Sequence, residues 1–312
     1  MGKTAAIILN YNDADMTIRL LDRIRNYSCP EDILVVDNHS TDDSCLRLGA
    51  FAEKYPNMTF LETEKNGGYG WGNNFGIRYA QEKLHAKYAL IANPDTVFSE
   101  RCIRKMTDMM ERHPDLGIIS PVMNTTDRSE EIQIPGTRAN VLSGASAWPM
   151  RPWLYDLLES GPLSRRLFRR IMHYDEKFYQ NRKCVRVGAV SGSLLLVDID
   201  KMVSAGGYDE NVFLYEEEYI LGYRMREKGY AAALLLTEDY LHLHRNNPAE
   251  PAVSLLKKEK QRHESMLYYF ERYLGISRWK AVITKCFFAI VDMEIVLFYR
   301  GKKALPLKKD NE

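Results

Sequence analysis

Short apolar runs that stop at Asn or Asp constrain the fold of this chain more than any other feature. Three lie early in the sequence: Ala5–Leu9 before Asn10-Tyr11-Asn12, Ile33–Val36 before Asp37-Asn38, and Tyr88–Ala92 before Asn93-Pro94-Asp95. Later runs are Gly117–Ile119, Ser193–Val197 and Ala231–Leu236. Continuous apolar runs of this length are typical of strands that are buried on both faces of a parallel sheet.

Helical patterns separate the early runs. Apolar residues recur at helical spacing within 15–27, and Thr41-Asp42-Asp43-Ser44 supplies capping residues for a second helix. Strands that alternate with helices predict an α/β layered domain. Ligands of such sheets bind beyond the carboxyl ends of the strands, so the Asn and Asp side chains there are candidate binding residues. For each of them taken singly, turn formation is the competing explanation.

Composition excludes several classes of protein. The 312 residues carry a formal net charge of +1, with 45% hydrophobic and 27% charged residues. These values argue against a disordered chain and against a nucleic-acid partner, which usually demands a basic excess. The five cysteines are far apart and form no CxxC pair, so we expect neither disulfides nor a zinc cluster. This cysteine usage predicts a protein of the reducing cytoplasm. We also expect no signal peptide and no membrane-spanning segment.

A glycine cluster and a Pro-Asp pair are candidate sites for phosphate and metal. The cluster Gly67-Gly68-Tyr69-Gly70-Trp71-Gly72 fits neither G-x-G-x-x-G nor the P-loop pattern. A glycine-rich loop can still offer backbone N–H groups to an anion, although a flexible turn explains it equally well. Pro94 stiffens the turn that carries Asp95. One such carboxylate can hold a hard divalent cation when substrate phosphates supply other ligands.

Acidic and imidazole groups follow later in the chain. Glu216-Glu217-Glu218 precedes a helical pattern, so the three residues are either helix-capping charges or a general base with a raised pKa. His242 and His244 alternate on an extended segment and therefore share one face, which is a weak metal signal.

Two segments carry no catalytic motif. Residues 148–180 have the composition of an insertion, and within them 163–172 combines Leu and Phe with four arginines. Residues 279–300 form an aromatic amphipathic pattern, which Lys302, Lys303, Lys308 and Lys309 follow. Basic amphipathic helices bind acidic membrane surfaces, and an ordinary solvated surface helix is the alternative.

In order, these motifs resemble the rhamnosyltransferase-like branch of glycosyltransferase family 2. The matching stretches are Ile8-Leu9-Asn10-Tyr11-Asn12, Val35-Val36-Asp37-Asn38-His39-Ser40-Thr41-Asp42, Asn66-Gly67-Gly68-Tyr69-Gly70-Trp71-Gly72-Asn73-Asn74-Phe75-Gly76, Asn93-Pro94-Asp95-Thr96, Ser191-Gly192-Ser193 and Phe213-Leu214-Tyr215-Glu216-Glu217-Glu218. The resemblance covers about residues 4–245. It implies a GT-A fold, which is Rossmann-like with a mostly parallel sheet flanked by helices, over residues 1–250. Residues 251–312 would form a C-terminal helical, basic extension.

The resemblance also implies a site. Tyr11, Asn12, Asp37 and Asn38 match positions that hold the nucleobase and ribose of a nucleotide-sugar donor, and Asn66 and Asn74 match polar positions beside the nucleotide. Asn93 and Asp95 match the family's D-x-D, with Asp95 as the remaining acid for Mg²⁺ or Mn²⁺. His244 matches a later metal-side histidine, with His242 as second choice. Glu218, with Glu217 beside it, falls on the position of the catalytic base, while Ile220 replaces a further carboxylate.

The expected activity is therefore metal-dependent transfer of a hexose, such as rhamnose, with inversion. The donor would be a dTDP- or UDP-sugar, and the acceptor would be a polysaccharide or a lipid-linked oligosaccharide. A membrane surface is a further candidate partner, on the cytoplasmic face. Two alternatives stay open. One is a glycosyltransferase-like scaffold that has lost turnover, because of Ile220. The other is a sugar nucleotidyltransferase, for which Asn10-Tyr11-Asn12-Asp13 stands where a basic glycine-rich loop is expected.

Overall fold

The computed structural model describes residues 2–125, 147–172, 176–243 and 252–304. The chain forms two compact units. The sheet unit comprises Met1–Met150 and Tyr174–Asn246, and the helical unit comprises Arg151–His173 and Asn247–Glu312. The sequence predicted one domain over 1–250, whereas the structure groups most of the expected 148–180 insertion with the C-terminal helices.

The sheet unit alternates strands and helices. Its strands are β1 (Thr4–Asn10), β2 (Asp32–Asp37), β3 (Met58–Glu62), β4 (Tyr88–Ala92), β5 (Thr96–Val97), β6 (Leu116–Thr125), β7 (Ala147–Trp148), β8 (Cys184–Val187), β9 (Ala189–Val190), β10 (Leu194–Asp198) and β11 (Ala231–His242). Its helices are α1 (Ala14–Ile24), α2 (Ser44–Ala52), α3 (Tyr69–Glu82), α4 (Glu100–Arg112), α7 (Glu176–Tyr179), α8 (Ile199–Ser204) and α9 (Glu217–Glu227). The helical unit contains α5 (Trp153–Ser160), α6 (Pro162–Met172), α10 (Ala252–Arg272) and α11 (Arg278–Ala304).

The main sheet is mixed. Its strand order is β3-β2-β1-β4-β10-β6-β11-β5, and β8 also pairs with β11. Strands β3, β2, β1 and β4 run parallel, as the sequence predicted. Strand β10 lies antiparallel between β4 and β6, so the sheet is less uniformly parallel than expected. The parallel half brings the ends of β1, β2 and β4 to one edge.

Alternating side chains of the strands fill two cores, one on each face of the sheet. Ala6 and Ile8 pack with α1, α2 and α4, whereas Ala5 and Ile7 pack with α3, α8 and α9. This alternation is the period of two of a β-strand. Because both faces are covered by helices, the strands are apolar at nearly every position, which is the pattern seen in the sequence.

Capping residues define the helices that flank the site. Asp13 accepts a hydrogen bond from the Met16 N–H at the start of α1, and Ser99 accepts one from the Cys102 N–H at the start of α4. Each side chain satisfies a backbone donor that has no partner within its helix. The glycine cluster lies at the start of α3 and continues into its first turns, rather than forming an extended loop.

The helical unit has a small core of its own. The Trp153 indole N–H donates to Thr284 Oγ1 at 2.8 Å, and the His263 ring stacks on Phe288 with 3.9 Å between centroids. Arg151 Nε lies 3.3 Å from Asp156 Oδ1 in a buried ion pair. Within the described residues, no helix is both long enough and apolar enough to cross a bilayer.

Candidate active site

A cavity of about 620 Å³ opens at the edge of the sheet where β1, β2 and β4 end. Its wall combines strand ends, the start of α3 and two later segments. The lining residues are Leu9, Asn10, Tyr11, Asp13, Met16, Asn38, Asn66, Gly68, Tyr69, Asn93, Pro94, Asp95, Phe213, Leu214 and Leu243. Five predicted donor-binding residues are among them: Tyr11, Asn38, Asn66, Asn93 and Asp95.

A hydrogen-bond network shapes the rim between β1 and β2. Asp37 is fully buried, and its Oδ2 accepts from Asn10 Nδ2 and Ser40 Oγ, both at 2.8 Å. Its Oδ1 accepts from the Ser40 N–H at 2.7 Å. Asn12, in the left-handed region, accepts from the Thr41 N–H at 2.8 Å. Neither Asp37 nor Asn12 lines the cavity, so this geometry favours a role in holding the two loops that carry the lining residues.

Asn38 and Asn66 connect the end of β2 to the start of α3. The Asn38 Nδ2 group donates to Asn66 Oδ1 and to the Gly68 carbonyl oxygen, each at 3.0 Å. Asn66 Oδ1 also accepts from the Gly68 N–H at 3.1 Å. Both Asn38 amide hydrogens are thus used, and its Oδ1 accepts from Thr63 Oγ1 at 3.2 Å, so Asn38 holds Asn66 and the start of α3 in place.

Asn74 lies elsewhere. Its Nδ2 donates to the Tyr208 carbonyl oxygen and to Glu210 Oε1, and its Oδ1 accepts from the Tyr208 N–H. The buried side chain thus joins α3 to the 208–210 turn and is not part of the cavity wall. The structure gives it a packing role and supplies no geometry for donor contact.

Gly68 has a close-packing role. Its φ is +96°, and a Cβ atom there would lie 2.2 Å from the Phe213 carbonyl oxygen. The same carbonyl accepts a hydrogen bond from the Tyr69 N–H at 2.9 Å. A glycine is needed because another part of this chain approaches, and the contact fixes the segment that leads to α9 beside the cavity.

Asp95 and His242 form the charged corner of the cavity region. Asp95 Oδ1 lies 3.2 Å from His242 Nε2, and the Asp95 carboxylate is about one-third exposed. The backbone supports this corner, because the Leu243 N–H donates to the Asp95 carbonyl oxygen at 2.8 Å. His244, the first-choice metal ligand, lies outside the described residues.

The metal-ligand set in this part of the chain is sparse. Among the described residues, no group of three His, Cys, Asp or Glu side chains converges. One carboxylate on the cavity wall with an imidazole beside it fits a cation whose other ligands are phosphate oxygens and water. It does not fit a metal held by protein alone.

Glu217 and Glu218 begin α9 after two left-handed residues, Tyr215 and Glu216. Burial, then the charge of Glu218, raises the pKa of Glu217 well above its ordinary value. Burial also raises the pKa of Glu218, while the Gly192 N–H, which donates to Glu218 Oε1 at 3.1 Å, opposes that shift. The two carboxyls disfavour each other's ionisation, and Glu218 is the one that the Gly192 N–H holds, which makes it the better candidate for a proton acceptor.

Gly192 connects this pair to the cavity. Its carbonyl oxygen accepts a 2.7 Å hydrogen bond from the hydroxyl of Tyr69, which lines the cavity. Both peptide groups of Gly192 are therefore held, one by Tyr69 and the other by Glu218. A Cβ atom at Gly192 would lie 2.8 Å from Glu218 Oε1, so a larger residue here would displace that carboxylate.

Sequence reasoning did not single out several wall residues. Tyr69 lies inside the glycine cluster 67–72, so its position in that motif was the sequence signal that could have identified it. Phe213 and Leu214 precede the acidic run, and Asp13 precedes α1. Leu243 has no such signal, because an apolar residue after a strand is ordinary. Ile220 is only 1% exposed and belongs to the core of the unit.

Comparisons with known proteins identify the family of the chain. The family model described as Glycosyl transferase family 2 matches residues 5–160. An N-acetylglucosaminyl-diphospho-decaprenol L-rhamnosyltransferase of Mycobacterium tuberculosis is 26% identical over 265 residues, which cover 81% of this chain and 78% of that protein.

Solved structures support the fold. A mannosyltransferase of Pyrobaculum calidifontis, in complex with GDP-Man and Mn²⁺, matches with a TM-score of 0.57 at 14% identity, covering 99% of this chain and 81% of that one. GalNAc-T7 with UDP, GalNAc and Mn²⁺ matches with a TM-score of 0.59 at 12% identity and 87% coverage of this chain. The match spans about half of the GalNAc-T7 chain, 51%.

The expected GT-A fold is confirmed, with a mixed sheet flanked by helices and a helical C-terminal region. The family model covers half of the chain, and the rhamnosyltransferase relative covers most of it. The chain therefore belongs to glycosyl transferase family 2 and is a rhamnosyltransferase-like glycosyltransferase.

Proposed function

We propose that this enzyme transfers a hexose from a nucleoside-diphosphate sugar to a hydroxyl group of a lipid-linked or polysaccharide acceptor, with inversion at the anomeric carbon. One observation carries the proposal: the cavity at the strand ends is joined, through Tyr69 and Gly192, to the half-buried Glu218 carboxyl with its raised pKa. A donor site and a proton acceptor therefore share one rigid framework.

The cavity suits the donor. Tyr11, 47% exposed, offers an aromatic face to a nucleobase at the end of β1. The Asn66 amide, held in place by Asn38, would bind polar groups of the nucleotide, with Asn93 on the wall beside the diphosphate. Asn12 and Asp37 would hold the loops that carry these residues through their hydrogen bonds. Asn74 is not among the proposed donor contacts.

Asp95 would hold a divalent cation, Mg²⁺ or Mn²⁺, together with the diphosphate, and His242 and His244 are candidate neighbours of that cation. The GT-A relatives solved with Mn²⁺ support the use of such a metal. Bound there, the cation would offset negative charge on the leaving diphosphate. Asp95 itself supplies the anchoring charge, and the Leu243–Asp95 backbone hydrogen bond keeps it in place.

Glu218 acts as the general base. Its ionised carboxylate removes the proton from the acceptor hydroxyl while that oxygen attacks the anomeric carbon, and the nucleoside diphosphate leaves from the opposite face. Direct displacement of this kind inverts the configuration. Burial and the charge of Glu218 raise the pKa of Glu217 well above its ordinary value, which disfavours ionisation of both carboxyls together.

The relative from Mycobacterium tuberculosis guides the identity of the substrates. Its name specifies an L-rhamnosyl transfer to a diphospho-decaprenol-linked N-acetylglucosamine. By analogy we propose rhamnose as the transferred sugar, a dTDP- or UDP-linked donor, and a lipid-linked or polysaccharide glycan as acceptor. The enzyme would then work in polysaccharide biosynthesis, on the cytoplasmic side of the membrane that holds the acceptor.

Substitution of the base tests the proposal. We expect Glu218→Gln to lower transfer about 10²–10⁴-fold while leaving nucleotide affinity nearly unchanged. Glu217→Gln should retain turnover within about 10-fold, because the proposed base Glu218 and its hydrogen bond to Gly192 are unchanged. Nucleoside diphosphate release from dTDP- and UDP-sugars, with Mg²⁺ or Mn²⁺ and a lipid-linked acceptor, provides the measurement.

Glu227→Gln is the matched control, since Glu227 is exposed near the end of the same helix. Unchanged turnover in Glu218→Gln would remove the base assignment. Donor binding without release or transfer by the wild-type enzyme would favour the inactive scaffold.

A further inference from the structure

The described part of α11 presents an apolar stripe to solvent. Trp279 is 60% exposed and Leu297 is 66% exposed, and four more large apolar side chains between them are more than two-fifths exposed. The full stripe consists of Trp279, Val282, Ile283, Ile290, Met293 and Leu297. Its spacing follows the turns of a helix, so these side chains share one face. A contiguous apolar face of this size on a folded protein marks an interaction surface.

Within the described part of the helical unit, α11 packs mainly through its other face, and from the stripe only Trp279 makes a described ring contact, edge-on to Trp153 with 6.4 Å between centroids. The buried side of α11 carries Ala281, Thr284, Phe288 and Val291. There Thr284 accepts a hydrogen bond from Trp153, and Phe288 stacks on His263. The helix therefore has two apolar faces, of which the described part of its unit covers one.

Basic and acidic side chains on the described part of α11 differ in exposure. Arg278 and Lys285 are exposed among the stripe residues. Both acids of the described segment, Asp292 and Glu294, are less exposed than these bases and contact groups of the same unit. Asp292 Oδ1 lies 3.7 Å from His263 Nδ1, and Glu294 Oε2 accepts from the Leu163 N–H at 3.4 Å. The outer face is thus apolar and positive, which suits an anionic surface.

Helix α6 also carries exposed apolar and basic side chains. Leu163 and Leu167 are 58% and 70% exposed and lie one turn apart, with Phe168 also exposed. Arg165 and Arg166 between them are exposed as well. The hydrogen bond between Leu163 and Glu294 places the start of α6 against α11 within the same unit.

We propose that the stripe of α11, assisted by α6, binds in the plane of an anionic lipid bilayer. An amphipathic helix with basic residues beside its apolar face binds the interface between headgroups and acyl chains. A second copy of the chain is disfavoured as occupant, because pairing two stripes would bring like charges together. The purpose of this surface rests on the proposed lipid-linked acceptor, whereas the binding itself requires neither donor nor catalysis.

Vesicle binding of the full chain tests the proposal. We expect the wild-type protein to co-sediment with vesicles that contain phosphatidylglycerol and to bind pure phosphatidylcholine more weakly. Val282→Asp combined with Ile290→Asp should lower the partition coefficient at least about 10-fold, because both substitutions put charge on the inserted face. Arg278→Glu with Lys285→Glu should abolish the preference for anionic vesicles. Since no nucleotide sugar is present, failure of the proposed activity would not alter these results.

Leu46→Asp is the matched control, because Leu46 is 78% exposed on α2 of the sheet unit. It should bind vesicles as wild type does. A fluorophore on Cys286, an exposed thiol beside the stripe, should shift to shorter wavelength on anionic vesicles. The proposal would be overturned if the wild-type protein did not co-sediment with anionic vesicles. It would also be overturned if the double Asp variant bound them as strongly as the wild type. Light scattering that shows a dimer which the double variant converts to monomer without any vesicle binding would overturn it as well.

Discussion

The Tyr69 hydroxyl offers a sharp test of how the donor cavity and the base are joined. It donates to the Gly192 carbonyl oxygen at 2.7 Å, and the Gly192 N–H donates to Glu218 Oε1 at 3.1 Å. Tyr69→Phe removes one oxygen atom and keeps the ring, which packs edge-on against Tyr208 with 5.7 Å between centroids. The substitution therefore releases Gly192 on one side and leaves the surrounding packing in place.

The size of the expected fall in kcat follows from the lost hydrogen bond between Tyr69 and Gly192. Gly192 is buried, so its carbonyl oxygen would lose a partner that water does not readily replace. An unsatisfied buried acceptor costs about 1–3 kcal/mol. If most of that energy serves to hold the peptide in place, Glu218 becomes misaligned and kcat falls about 10- to 100-fold, since about 1.4 kcal/mol corresponds to a factor of ten.

Kinetics across pH separate this role from simple destabilisation. The base must be ionised, so activity is lost as the pH falls through the pKa of Glu218. Burial already raises that pKa above the ordinary value for Glu. A looser Gly192 N–H stabilises the carboxylate less, so the acidic limb of kcat against pH should move to still higher pH in Tyr69→Phe. The KM for the donor should change little.

Tyr79→Phe is the matched control, because Tyr79 lies on the same helix and packs against the core of that face. Its kinetics should equal those of the wild type. A Tyr69→Phe enzyme with normal kcat and an unmoved acidic limb would refute the reasoning. A loss confined to KM would also refute it, because that result would make Tyr69 a donor-binding residue alone.

Three further predictions follow from single contacts. Gly68→Ala should destabilise the fold by about 2 kcal/mol or more in urea unfolding, because its Cβ would meet the Phe213 carbonyl at positive φ; a loss below about 0.5 kcal/mol would contradict this. Asp95→Ala should weaken donor binding with Mn²⁺ present but not with chelator, as titration calorimetry can show; equal affinity with metal would remove the metal site. Burial raises the pKa of Asp156 to about 7, so the folded state holds an extra proton and stability should fall as the pH rises from 5 to 8, by about 3 kcal/mol. Asp156→Asn should flatten that dependence in calorimetry, and an unaltered slope would refute the assignment.

Much of the cavity could be predicted because its residues follow strands that the sequence makes conspicuous. Asn38, Asn93 and Asp95 each stand within three residues of the end of an apolar run, and parallel strands bring such ends together. Asn74 shows the limit of that reasoning. It belongs to the same motif as Asn66, but it lies two turns further along a helix and points to the 208–210 turn instead. Motif membership does not fix which face of a helix a residue occupies.

By itself, the sequence determined the alternation of strands and helices, the edge at which the candidate binding residues gather, and the acidic run that contains the proposed base. These features depend on local patterns, namely apolar periodicity, caps and turn residues. Only the tertiary structure decided that β10 runs antiparallel within the sheet and that other parts of the chain pack closely against Gly68 and Gly192. It also decided that Glu218 and Tyr69 are linked by hydrogen bonds through Gly192. Those contacts link residues far apart in sequence, so they exist only once packing has brought the segments together.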